Sequence, residues 1–360
     1  MTTELYPNDY FGDINKHDIV KETETELKWL IDEIVKPELP NIIDNVEKCL
    51  DMLQSNEVFK MPITNNNGNN LQGKSNANNG PTIRGIISRQ NEYIVGFQTI
   101  VTFPEFNKGK PIILKMEPEA SKFKLPQLVT TKDNLSDLLH TLEDSEIISD
   151  SSSFISNMDK SLKLLAQSIS LLETPPRNLI FPEIGNNVIK ELFPSNHSSL
   201  FETPHHEISL ELVLIKNELY IDFRNLVKVV KVPWCKVDPN TSLSFVDNIK
   251  EELKVDRRKN LKDVLISRGL QVEESNLFNN LLISAFNTEK TTLSEARNFL
   301  SRCITFNNKV VIEGEKIVAT TSDPSLISLS SKLHSLESTI GNLYTNLNTY
   351  TPTTHNNVTK

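Results

Sequence analysis

The residues with the most chemistry in them are Gly68-Asn-Asn-Leu-Gln-Gly73-Lys74-Ser75, which match the GxxxxGK[ST] pattern of phosphate-binding loops. That chemistry needs a strand before the loop and a helix after it, so that backbone N–H groups converge on phosphate oxygens. Here Asn65-Asn66-Asn67 precede the match and Asn76-Ala-Asn-Asn-Gly80-Pro81 follow it. Neither flank builds the required element. Residues 64–80 hold eight Asn in seventeen positions, too polar a run to bury surface, and read as a disordered loop. The match is then accidental, and a nucleotide-binding switch through residues 68–75 is carried as an alternative.

His205-His206 could be half of a metal site, with Glu202 and Glu207 nearby. The pair opens a strand pattern, however, so its two side chains leave opposite faces and cannot share one ion. Cys303 and His334 could serve as nucleophile and base, but nothing in the spacing brings them together, and Cys303 reads as a buried helix residue. Arg257-Arg258-Lys259 is a short basic cluster between Asp256 and Asp263, a solvated surface or a small docking patch. The GxSxG, HExxH and GxGxxG motifs are missing. The expectation is a protein without catalytic residues, metal site or cofactor, and not an enzyme.

Composition points the same way. Lys+Arg number 38 and Asp+Glu 47, a formal charge of −9, which disfavours non-specific nucleic-acid binding. The apolar fraction of 38% is low for a globular chain, so part of it is expected to stay unstructured. Cys49, Cys235 and Cys303 lie far apart, which fits free thiols in a reducing, cytosolic compartment. No transmembrane span and no secretory or transit signal is expected.

The elements that would carry any function are mostly helices with seven-residue seams. A helix over 22–53 contains Pro37 and Pro40, so a kink or a junction of two helices is expected near residue 37. A helix over 123–143 carries Leu128, Leu135, Leu138 and Leu142. The next, over 153–173, carries Ile155, Met158, Leu162, Leu165, Ile169 and Leu172 and stops at Pro175-Pro176. The last starts at Asp323-Pro324, an N-cap followed by Pro at the first helical position. It carries Leu326, Leu329, Leu333, Leu336, Ile340, Leu343 and Leu347, stepping by three and four, the period of supercoiled helices.

Strands are expected over 83–88, 92–103 and 111–116, and a hairpin over 206–230 turning at Lys216-Asn217. A small hairpin is expected at 309–313 and 316–320 around Gly314. Residues 243–254 and 259–267 read as short helices, and Thr292-x-x-Glu295 as the capped start of another.

Together these give an α+β fold. An elongated antiparallel bundle of about four long helices would be built from 21–60, 121–175 and 323–348. A smaller antiparallel β domain would be built from 81–118, 204–231 and 307–321, so both domains are discontinuous in sequence. Residues 1–20 read as a flexible arm, 232–306 as an insert with short helices, and 349–360 as a tail. The heptad seams are expected to form intramolecular core. The alternative is a homodimeric coiled-coil scaffold zipped through the C-terminal seam.

Several stretches in order along the chain carry a resemblance: Glu26-Leu-Lys-Trp29-Leu30, Ile83-Arg-Gly85-Ile-Ile-Ser, Glu173-Thr174-Pro175-Pro-Arg-Asn-Leu179-Ile-Phe-Pro182-Glu183-Ile184, and the hairpin from Ile208 to Phe223. Together they resemble the Rogdi leucine-zipper family, over about 22–60, 81–230 and 305–347. The Asn-rich loop and the 232–290 insert depart from the compact animal pattern and look fungal. The resemblance implies a helical domain of long antiparallel helices with a smaller β domain. It implies a non-enzymatic adaptor of the RAVE complex, the regulator of the ATPase of vacuoles and endosomes, promoting reassembly of the pump's peripheral and membrane sectors. The partners implied are a large propeller-containing subunit, a Skp-type adaptor and peripheral-sector subunits of the pump. The implied location is cytoplasmic, with recruitment to vacuolar and endosomal membranes only through partners. The family has no catalytic or cofactor residues to carry over, and the partner-contact residues stay unknown.

Overall fold

The computed structural model describes residues 19–65, 80–116, 122–194, 200–256, 258–273 and 290–350. The expectations for the arm, the Asn-rich loop with its 68–75 match, Arg257, much of the insert's second half and the tail lie outside the described residues. The chain divides into two compact units, one gathering residues up to Asn56, Pro126–Glu173 and everything from Pro324, the other Glu57–Leu125 and Thr174–Asp323. The fold is mixed helix and sheet, of the α+β class.

The first unit is helical. Helix α1 spans Ile19–Trp29 and runs into a π-helical turn at Leu30–Val35 and a 3₁₀ turn at Lys36–Glu38. Helix α2 then spans Leu39–Gln54. The irregular turns sit where Pro37 and Pro40 withdraw their N–H donors, so the backbone re-pairs at other spacings instead of breaking. Helix α3 spans Pro126–Ile147 and α4 Ser151–Glu173. Here the structure corrects the sequence reading of a helix from residue 123. Phe123–Lys124 is a strand, and Pro126 opens the helix because its fixed φ suits the first helical position and its missing N–H costs nothing there.

A further helix at Pro324–Thr349 (α9, after four shorter ones given below) completes the unit. Helix α2 packs on α3, α3 on α4, α4 on α9, and α9 back on α2, a closed ring of contacts. The shared interior is apolar: Leu39, Val46, Leu128, Leu135, Leu142, Leu165, Leu172 and Leu333 are fully buried. Each such side chain is worth about 1.5–3 kcal/mol relative to exposure.

The second unit holds two antiparallel sheets. The first sheet comprises β1 (Phe59–Thr64), β2 (Thr82–Gln90), β3 (Tyr93–Thr102), β4 (Ile112–Lys115) and β5 (Phe123–Lys124). Its order is β1-β2-β3-β4, with β5 also pairing β3. Sequence reasoning placed residues 59 and 60 with the helices and missed β1, because Met61-Pro62-Ile63 hides a strand behind a proline. The strand lies at the sheet's edge, where a missing N–H is tolerated.

Gly85 is required at its place. A Cβ there would stand 2.2 Å from the Gln98 carbonyl oxygen and 2.7 Å from Thr99 Cα, so β2 and β3 could not approach as they do.

The second sheet comprises β6 (His206–Ile215), β7 (Glu218–Lys228), and, after the two short parallel strands β8 (Gln271–Glu273) and β9 (Lys290–Thr292), β10 (Cys303–Phe306) and β11 (Lys309–Ser322). Its order is β10-β11-β7-β6. Lys216 and Asn217, both at positive φ, make the tight β6–β7 turn whose twist matches the strands. The expected hairpin around Gly314 is instead one long strand, β11, whose register on β7 shifts between Glu313 and Glu315. The real hairpin turn is Asn307-Asn308, both at positive φ. Gly314 marks a bulge, since a glycine in a strand permits a bulge as readily as a turn.

The two sheets meet through aromatics. Phe97 of β3 lies edge-on to Phe193, 5.7 Å away, and 6.4 Å from Phe223 of β7. Among the described residues four short helices flank the second sheet: α5 (Asn187–Leu192), α6 (Phe245–Val255), α7 (Leu261–Ser267) and α8 (Leu293–Arg302). Thr292 caps α8 by accepting the Glu295 N–H, as the pattern predicts, and Ser244 and Asp247 form a reciprocal box at α6. These elements are not a loose insert. They enclose a core of Trp234, Val246, Ile249, Val264, Leu265, Leu270, Ala296, Cys303 and Val310.

Candidate functional site

The second sheet has one apolar face and one ionic face, because β6 and β7 alternate in register. Leu210, Leu212, Ile221 and Phe223 point one way, while Glu207, Glu211, Asp222 and Arg224 point the other. On the ionic face Arg224 is the hub. Its guanidinium donates to Asp222 Oδ2 at 2.7 Å and to Glu313 Oε2 at 2.5 Å, and its plane lies 4.3 Å from the Phe181 ring centre. Lys316 Nζ reaches Asp222 Oδ2 at 3.1 Å, and the Phe181 N–H donates to Glu211 Oε2 at 2.9 Å.

Phe181 belongs to the 177–186 segment, which lies across this face. Its ring also packs on Phe306, with centres 5.4 Å apart. Arginine fits this hub because a planar guanidinium can fork to carboxylates and stack on a ring at once, which a lysine cannot.

Charges this close perturb one another. Burial pushes the Glu211 carboxyl up, and the Asp222 carboxylate adds to this against the pull of the Phe181 N–H. The Tyr220 phenol is pushed up to about 12 by burial, with Asp222 and Glu211 adding to it. A second ionic group lies further along the same face. Lys228 and Lys309 donate to Glu202 Oε1 at 2.6 and 2.7 Å, and Lys309 reaches Glu207 Oε2 at 3.0 Å. Asn186 holds the other oxygen of Glu207.

The two lysines pull Glu202 down to about 2, from an ordinary value of 4.5. The folded form therefore gains stability from Glu202 above pH 4.5 and loses it as pH falls toward 2. Glu202→Gln is expected to lower stability in the neutral range and to flatten that acid limb in a series of urea titrations between pH 7 and pH 2, the two proteins converging as Glu202 takes up its proton. An unaltered acid limb would contradict this.

The sequence-nominated chemistry is dispersed. His206 Nδ1 lies 2.9 Å from Asn225 Oδ1 and its ring stands edge-on to Phe106, whereas His205 is exposed. Among the described residues no group of three or more His, Cys, Asp or Glu could hold a metal ion. Cys303 opens strand β10, not a helix as the sequence suggested, and burial raises its thiol to about 11. His334 belongs to the other unit and lies 3.3 Å from Glu173. Lys259 is paired with Glu252 at 2.7 Å, as is Arg268 at 2.9 Å.

A cleft of about 560 Å³ in the helical unit is lined by Glu24, Leu27, Lys28, Ser149–Ser152 and Ile155. Of its two acidic residues, Asp150 is engaged, accepting the Ser153 N–H and hydroxyl to cap α4. Those bonds hold it below its ordinary value.

The leucine stripes have a definite place. On α4, Met158, Leu165, Ile169 and Leu172 are buried, while Ile155 and Leu162 are half-buried and Phe154, Ser161 and Ser168 share the inner face. On α9, Leu326, Leu329, Leu333, Leu336, Ile340 and Leu347 are buried and Leu343 is half-buried. Helix α9 spends this stripe on α2 and α4 of the same chain. Sequence reasoning missed the ionic face. Its signal was present in the alternation of Glu207, Glu211 and Asp222, Arg224 along two strands.

A family model described as Rogdi leucine zipper containing protein matches residues 26–348. The Regulator of V-ATPase in vacuolar membrane protein 2 of Saccharomyces cerevisiae is 44% identical over 348 residues, 96% of this chain and 97% of that one. The chain belongs to the Rogdi leucine zipper family.

Proposed function

We propose that this chain is a non-enzymatic adaptor of a RAVE-type complex that promotes reassembly of the peripheral and membrane sectors of the vacuolar proton-translocating ATPase. The observation that carries this reading is the 44% identity, over 96% of the chain, to a yeast protein named as a regulator of that ATPase.

The division into two units supports an assembly role. A factor that joins two bodies needs separate faces that hold both at high effective concentration. In this reading residues of the helical unit form an antiparallel four-helix bundle, and the sheet unit supplies a second face. The partners would be a large propeller-containing subunit, a Skp-type adaptor and peripheral-sector pump subunits. No described helix is long and apolar enough to cross a membrane, which suits recruitment to the vacuolar membrane through those partners.

The test is affinity capture of the tagged full chain from cells that natively express it, with partners identified by mass spectrometry. Recovery of a propeller-containing subunit together with peripheral pump subunits is expected. Recovery of the chain alone, or only with itself, would overturn the reading.

A further inference from the structure

The ionic face described above neutralises its own cations; the outer face of the first sheet does not. On that face the strand registers bring together three exposed isoleucines, Ile86 on β2, Ile100 on β3 and Ile113 on β4, at 55%, 47% and 64% exposure. Ile100 pairs directly with Ile113, and Ile86 pairs with Gln98, which puts it one diagonal step from Ile100. Such neighbours lie within about 5–8 Å and form one apolar patch.

Cations surround the patch. Arg84 pairs with Ile100, and Lys115 with Gln98. Lys60 lies two residues from Pro62, which pairs with Ile86. Lys124 pairs with Tyr93, whose ring centre is 5.9 Å from the Lys122 ammonium. Among the described residues none of Lys60, Arg84, Lys115 and Lys124 makes an ion pair. None of the exposed positions on this face of β1 to β5 is Asp or Glu. In a chain of net charge −9, an isoleucine patch whose charged neighbours among the described residues are all cations is a segregated surface.

We infer that this face docks an amphipathic helix of a partner protein, apolar along one stripe and acidic on its flanks. The dimensions suit a helix. The isoleucines span two strand spacings, about 10 Å, which is the width of one α-helix. A sheet face is what helices cover in α+β folds. The charge suits it as well, since flanking carboxylates would meet Lys60, Arg84 and Lys115. An anionic bilayer fits less well, because interfacial anchoring relies on protruding aromatic and long apolar side chains and this face offers short branched ones. The inference concerns the surface and the chemistry of its occupant, and it stands apart from the identity of the pump partners.

The test places a photo-crosslinking amino acid at position 113 of the full chain in its native cells, and sequences whatever it captures. The expected product is a partner segment with apolar residues every three to four positions and Asp or Glu beside them. Arg84→Glu with Lys115→Glu should lower its yield tenfold or more, at unchanged chain abundance and unchanged thermal unfolding. Capture of lipid, of a second copy of this chain or of nothing would overturn the inference, as would a yield indifferent to the charge reversal. The affinity capture proposed above reads the pump partners independently, so failure of one reading does not mimic failure of the other.

Discussion

Arg89→Ala is expected to cost about 3–5 kcal/mol of folding stability, a large fraction of what a domain has. The Arg89 Nε donates to Asp323 Oδ2 at 2.5 Å, with the two side chains 1% and 0% exposed. Arg89 also donates to the Asn91 carbonyl oxygen and lies 5.2 Å from the Phe59 ring centre. It therefore ties strand β2, the β2–β3 turn, the edge strand β1 and the last residue before α9 to one guanidinium.

Truncating the arginine leaves a carboxylate in a site with little water, and that desolvation outweighs the loss of the pair itself. Replacing both partners, as in Arg89→Met with Asp323→Asn, removes the buried charge while keeping a residue that can cap α9, and is expected to recover much of the loss. Urea titration followed by tryptophan fluorescence measures this, because Trp234 is fully buried in the same unit and Trp29 is exposed in the other. A single-variant loss below about 1 kcal/mol would contradict the weight given to this buried pair.

Trp234→Ala is expected to cost a similar amount, about 3–5 kcal/mol, and to do so locally. Trp234 is the largest fully buried side chain of the chain's described residues. It stacks on Phe299 at 4.8 Å and stands edge-on to Phe245 at 5.5 Å. Among the described residues its Nε1 meets no acceptor, so the ring acts there through area and contact. The short helices α6 and α8 bury little without it: α8 keeps only Ala296 fully buried, and α6 only Val246 and Ile249. Amide hydrogen exchange is the direct measurement. Helices α6, α7 and α8 should lose protection while the first sheet keeps it, and wild-type protection in those helices would show that the tryptophan does not organise them.

These two sites also mark where the sequence stopped being readable. Regular periods carried far. Helices α3, α4 and α9, the strands β2 and β3, the β6–β7 hairpin with its Lys216-Asn217 turn and the Thr292 cap all follow from local spacing and turn chemistry. The Asp323-Pro324 helix start did as well. What failed was non-local. Arg89 and Asp323 are 234 residues apart, and nothing local in either announces the other.

The 232–306 segment read only as an insert with short helices because its core is pooled from several short pieces around one tryptophan, each too short to show a period. Strand β1 was hidden by a proline that only an edge strand tolerates. The seam on α4 was read as Ile155, Met158, Leu162, Leu165, Ile169 and Leu172, whereas the buried face also takes in Phe154, Ser161 and Ser168. Small residues at the interface let neighbouring helices approach, and a search for apolar positions passes over them. The two sheet faces were legible only once register was known, since exposure of Ile100 or pairing of Arg224 is a property of neighbouring strands.

The measurement that bears most directly on the assembly role is the amount of peripheral ATPase sector on vacuolar membranes purified from cells lacking this chain. The adaptor reading predicts that peripheral subunits fall on the membrane while their total cellular amount and the membrane sector stay unchanged. Re-expression of the full chain should restore them. Wild-type levels of peripheral sector on membranes without the chain, with normal vacuolar acidification, would contradict it.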